Sequence, residues 1–146
     1  MYQTIILIGN LGKDPEMRFT PSGQPVTTLS VATNRRYNGT DGQPIKETTW
    51  FRITVWGKQA EACNEFLHKG SKVLVEGRLT PDPETGGPHI WKSNGEVGAS
   101  FEVTASIVRF LSGREDQDRN VLEGEDQELP ANNQAPITPD ASDIPF

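Results

Sequence analysis

Nine residues in the middle of the chain, Thr48-Thr49-Trp50-Phe51-Arg52-Ile53-Thr54-Val55-Trp56, constrain the fold more than any other stretch. Strand side chains alternate between faces, so Phe51, Ile53 and Val55 share one side and Trp50, Arg52, Thr54 and Trp56 the other. The first set is the interior of a β-structure. The second, two indoles around a guanidinium, is a poor core. Burying it strips Arg52 of water, and exposing it turns two large rings to solvent. A flat ligand would explain an exposed face of this kind. Packing under a loop or in a subunit interface would explain it as well.

The rest of the N-terminal part reads as further strands near Thr4–Gly9, Met17–Phe19, Val26–Asn34, Lys72–Leu79 and Phe101–Phe110. Pro21-Ser22-Gly23, Asn38-Gly39 and Asp41-Gly42 mark turns between them. One segment, Gln59–His68, has helical periodicity, with Ala62, Cys63, Phe66 and Leu67 on one face and Gly70 placed to cap its end. Phe19, Phe66, Phe101 and Phe110 sit in apolar or periodic contexts and are expected in the core. A lone helix between the third and fourth long strands of an otherwise all-β chain suits a five-stranded barrel of the oligonucleotide/oligosaccharide-binding (OB) type. A β-sandwich is the alternative, but it needs about seven strands.

Charge divides the chain. Residues 1–112 hold 12 Lys+Arg against 11 Asp+Glu, while residues 113–146 hold 2 against 9, so the overall −6 belongs to the second part. Ten of the eleven aromatics precede residue 113. A charged segment with almost no large apolar residues cannot offset its chain entropy, so 113–146 is expected to be a disordered acidic tail. There is no 18-residue apolar run to span a membrane and no basic flank at the N-terminus to mark a secretory signal. A single cysteine, Cys63, excludes an internal disulfide and points to the cytoplasm. With only His68 and His89 beside it, no structural zinc site of the usual kind is expected. No phosphate-binding glycine loop or nucleophile set is suggested, so the expectation is no metal, no cofactor and no enzyme.

Other residues favour a nucleic-acid ligand for the tryptophan face. Bases stack on aromatic rings while Lys and Arg track phosphates. Arg35-Arg36-Tyr37 repeats the pairing of ring and charge, and Lys58 follows Trp56 closely. Arg78 lies on the polar face of Lys72–Leu79, which could equally be ordinary solvated surface. The long Pro/Gly-rich excursion from Thr80 to Ser100 carries Trp91-Lys92, and a loop of that length is uncommon unless functional or disordered. It is read as a ligand-contacting hairpin.

Several segments together resemble the bacterial single-stranded DNA-binding protein family. They are Leu7-Ile8-Gly9-Asn10-Leu11-Gly12-Lys13-Asp14-Pro15-Glu16, Val31-Ala32-Thr33-Asn34, Thr49 to Lys58, Lys69 to Leu79, and the terminal Asp143-Ile144-Pro145-Phe146. The resemblance implies an OB-fold domain, residues 1–112, that forms a homotetramer and wraps single-stranded DNA without strong sequence preference. It places Trp50 at a stacking position, Trp56 where the family usually has Phe, and Tyr37 near a position often occupied by Trp. Trp91 falls in the hairpin that carries another stacking Trp. Arg18, Arg52, Lys58 and Lys72 would contact phosphates. The tail, residues 113–146, would dock replication, recombination and repair proteins through Asp143, Ile144, Pro145 and Phe146, in a nucleoid-associated, cytoplasmic bacterial protein. An RNA-binding OB module, a primosome-type adaptor whose aromatic face meets protein, and an enzyme are the rival readings.

Overall fold

The apolar alternation closes on itself. The structure is a computed structural model and describes residues 1–112; the predicted tail 113–146, with its tip Asp143–Phe146, lies outside the described residues. Those residues form β1 (Ile5–Leu11), β2 (Glu16–Phe19), β3 (Pro25–Asn38), β4 (Pro44–Trp56), α1 (Lys58–Phe66), β5 (Lys72–Leu79), β6 (His89–Ser93) and β7 (Glu96–Phe110). The sheet order β1-β5-β7-β4-β3-β2 is closed by a further β1–β3 pairing at Asn10↔Ala32 and Leu11↔Val31. Five long strands, β1, β3, β4, β5 and β7, therefore make a barrel, and α1 lies between the third and fourth of them, as expected. All pairings are antiparallel except β4–β7.

The core is aliphatic. Leu7, Leu11, Leu29, Val31, Ile53, Val55, Val73, Val75 and Val103 fill the barrel, with Ala60, Cys63 and Leu67 from the helical segment. Helix α1 is held by the buried Thr27 hydroxyl, which donates to the Ala60 carbonyl at 2.7 Å. Gln59 clamps it to β7 by donating to Ser106 O and accepting from Val108 N. Burial pushes the Cys63 thiol up to about 11, as befits an inert core residue.

The four phenylalanines expected in the core are not there. Phe19, Phe66, Phe101 and Phe110 are all exposed, Phe66 at 62% and Phe101 at 51%. A closed barrel of five strands has a narrow interior that branched aliphatic side chains already fill, so rings are displaced to its ends and flanks. The helix is also shorter than expected. It stops at Phe66, where Leu67 turns extended. Gly70, at φ 91°, serves the turn into β5, its N–H donating to Leu11 O, rather than capping the helix.

Two hairpins run past the barrel. The β3–β4 ladder continues without a register shift from Val26↔Trp56 to Asn38↔Pro44. The predicted hairpin in the Thr80–Ser100 excursion is β6 with the first part of β7, turned by Asn94 (φ 50°) and Gly95 (φ 80°). Asn-Gly suits such a two-residue turn because both positions take positive φ.

Candidate nucleic-acid interface

Residues directly paired across strands share a face. On the outer side of the barrel, Trp50 pairs with Ala32, Arg52 with Ser30 and Glu102, Thr54 with Thr28 and Thr104, and Trp56 with Val26. Arg18 on β2 flanks Val26, and Arg78 on β5 flanks Thr104. Val26 is fully buried between the cross-strand neighbours Arg18 and Trp56. Along β7 the same face continues through Ser100 to Gly98, which pairs with Trp91. Three indoles, Trp50 at 52% and Trp56 and Trp91 at 43% exposure, thus share one side of a continuous sheet with Arg18, Arg52 and Arg78. Phe51, Ile53 and Val55 face the other way, into the core, as the alternation requires.

Two glycines set how the rings lie. A Cβ on Gly12 would overlap Cζ3 and Cη2 of Trp50, and one on Gly98 would overlap Cε2, Cζ2 and Cη2 of Trp91. Each indole therefore rests against bare backbone and leaves its remaining surface open. Gly12 is held beneath Trp50 by its N–H bond to Ser30 O at 2.9 Å. Neither glycine was singled out from the sequence, because the contact depends on cross-strand register. The Asn94-Gly95 turn was the available signal for Gly98, since it fixes the pairing of β6 with β7.

The cations on this face are available. Among the described residues the ion pairs are Lys13–Glu16, Arg35–Glu47 and His89–Asp82. Arg18, Arg36, Arg52 and Arg78 are in none of these. Arg36 pairs with Lys46 on the tryptophan side of the β3–β4 arm, which adds a basic residue the sequence reading missed.

Other expected site residues stand elsewhere. Arg35 and Tyr37 pair with Glu47 and Ile45, on the opposite side of the arm from Trp50. There they satisfy one another. The Tyr37 hydroxyl donates to Glu47 at 2.9 Å, Arg35 lies 4.9 Å above the Tyr37 ring, and its guanidinium reaches Glu47 at 3.9 Å. That hydrogen bond raises the Tyr37 pKa. Lys92 pairs with Val97, on the face of its hairpin away from Trp91. Lys72 pairs with Asn10 at the far end of β5 from Arg78, on the flank that carries Ile8 and Leu74. Lys58, exposed at the start of α1, remains two residues from Trp56. No group of three or more His, Cys, Asp or Glu among the described residues could hold a metal ion, and no helix there is long and apolar enough to cross a membrane.

Known proteins resemble this chain in sequence and fold. Residues 2–111 match the model of the Single-strand binding protein family. The single-stranded DNA-binding protein of Helicobacter hepaticus is 35% identical over 121 residues, 82% of this chain and 67% of its own length. That of Wolinella succinogenes is 36% identical over 126 residues, 86% of this chain and 74% of its own. For the Neisseria meningitidis protein the match takes in 75% of this chain and 60% of the relative, at 36% identity. Among solved structures, a deletion variant of the single-stranded DNA-binding protein from Thermus aquaticus aligns with a TM-score of 0.59 at 32% identity, over 76% of this chain and 51% of that one. The Plasmodium falciparum SSB, solved as a complex with single-stranded DNA, aligns with a TM-score of 0.64 at 26% identity, over 77% of this chain and 96% of that one. With nearly all its described residues inside the family match and its strands closed into one barrel, the chain belongs to the Single-strand binding protein family.

Proposed function

We propose that this chain is a non-catalytic protein that binds single-stranded DNA without strong sequence preference. The observation that carries the reading is the row of three half-exposed indoles on one sheet face, two of them lying over glycines, beside arginines that are in no ion pair among the described residues. Stacking on such rings tolerates any base, and the arginines suit phosphates. Trp50, Trp56 and Trp91 are the stacking residues of this reading. Arg18, Arg36, Arg52 and Arg78 are its phosphate contacts, with Lys58 at the margin. Arg35 and Tyr37 join only if the strand crosses to the other side of the β3–β4 arm, and Lys72 and Lys92 stand apart from the row.

The finer assignment is a cytoplasmic bacterial protein of replication, recombination and repair. Residues 1–112 bind DNA, and residues 113–146 recruit partner proteins through Asp143, Ile144, Pro145 and Phe146. The apolar Ile144 and Phe146 beside the Asp143 carboxylate suit a basic-rimmed apolar pocket. Assembly into a homotetramer is supported by the outer face of β1, where Ile6 and Ile8 are 61% and 56% exposed beside Leu74. Exposed apolar patches of this kind mark contact surfaces.

Titration of tryptophan fluorescence with oligo-dT, at low and moderate salt, tests the reading. Saturable quenching is expected. A folded protein whose fluorescence does not respond would remove the stacking surface and favour a protein-facing adaptor. Deleting Asp143–Phe146 is expected to abolish capture of replication proteins while leaving oligo-dT binding intact.

A further inference from the structure

Phe101 is half-exposed, yet it does not belong to the tryptophan face. It alternates with Ser100 and Glu102 along β7 and pairs with Phe51, so it lies on the barrel side of the sheet. The two rings sit 5.9 Å apart at 39°, which fixes Phe101 from behind. In front of it the sheet has a gap. Strand β5 leaves β7 at Leu79↔Val103, and β6 joins β7 only at His89↔Ser100. Thr80 still donates its N–H to Glu102 O, and residues 81–88 beyond it border a recess of about 330 Å³, lined by Gln3, Leu79, Pro81, Pro88, Phe101 and Glu102 with glycine backbone.

The recess is braced. Asp82 accepts hydrogen bonds from the N–H groups of Glu84 and Thr85, and its own backbone N–H and C=O pair with Gly87 and Gly86. Its walls are two prolines and a leucine, its back is a ring, and Gln3 adds an amide that both donates and accepts. The lining is largely apolar, with Glu102 its one charged residue, and the recess is at the small end of the size range for ligand sites. It suits one flat heterocycle rather than a peptide side chain with a charged end. The recess also adjoins the face described above. Glu102, which contributes to its lining, pairs with Arg52 between the tryptophans.

We propose that this recess is a further nucleobase subsite, in which Phe101 stacks one base of the strand that crosses the tryptophan face. The proposal rests on the single-stranded DNA reading. Its test uses the full chain and a fluorescently labelled oligo-dT, with F101A, F101L and F101Y variants. F101L keeps apolar bulk against Phe51 but removes the aromatic face. F101A and F101L are expected to weaken binding about tenfold, on the scale of one lost stack. F101Y is expected to bind like the parent. Tryptophan quenching at saturation and the mass of the assembly should be unchanged in all three. An F101L variant that binds like the parent overturns the proposal. So does weaker binding that only accompanies a smaller assembly, since the recess would then belong to a contact between copies. A parent protein that does not bind oligo-dT at all would sink the DNA reading itself, and the subsite with it.

Discussion

Replacing Gly98 with Ala gives the sharpest test of how the interface works. Gly98 has no positive φ to lose, and Ala in a strand is favoured over Gly by roughly 0.5–1 kcal/mol. The barrel core does not reach this hairpin. Stability should therefore hold or rise slightly. The new methyl, however, would occupy the space of three atoms of the Trp91 indole. The ring must rotate away, and a ring in the wrong plane cannot stack. One base stack is worth about 1–3 kcal/mol, so G98A should weaken oligo-dT binding by about 5- to 150-fold, up to the effect of W91A. The discriminating assay is a double-mutant cycle by fluorescence anisotropy, with the melting temperature of each variant recorded alongside. In a W91A background the Gly98 change should cost almost nothing, leaving a coupling of at least about 1 kcal/mol. If G98A weakens binding equally with and without Trp91, the glycine acts through the backbone and the seating argument is wrong.

Trp50→Ala should weaken oligo-dT binding by about 1–3 kcal/mol per site, and an unchanged affinity in anisotropy would remove Trp50 from the interface. Salt dependence should be modest: with six cations on or beside the face (Arg18, Arg36, Lys46, Arg52, Arg78 and Lys58), the slope of log K against log salt should be no steeper than about −4.2 per protomer. Native Cys63 should resist a thiol reagent at pH 8 and react fully in urea. Because its folded pKa is raised, its contribution to stability is complete below the unfolded thiol's pKa and is lost as pH rises toward about 11. The urea midpoint should therefore fall over that alkaline range, less so in C63A.

The amino-acid sequence by itself determined what depends on short-range periodicity. Alternation along Thr48–Trp56 separated Phe51, Ile53 and Val55 from Trp50, Arg52 and Trp56, because neighbouring side chains on a strand must point opposite ways. The helix, the turns at Asn38-Gly39 and Asp41-Gly42, and the break in charge after Ser112 are local or compositional in the same sense. Only the tertiary structure decided what depends on register and closure. Trp91 joined Trp50 because β7 carries one face from Arg52 past Ser100 to Gly98, and Arg35 and Tyr37 fell on the far side of their arm because they are odd-numbered partners of Glu47 and Ile45. Gly12 and Gly98 acquired a role only when an indole was laid across each. Phe101 looked like core because it is apolar and lies on a strand. It does lie on the barrel side against Phe51, yet it stays half-exposed, because a five-stranded barrel closes around aliphatic side chains before it has room for another ring.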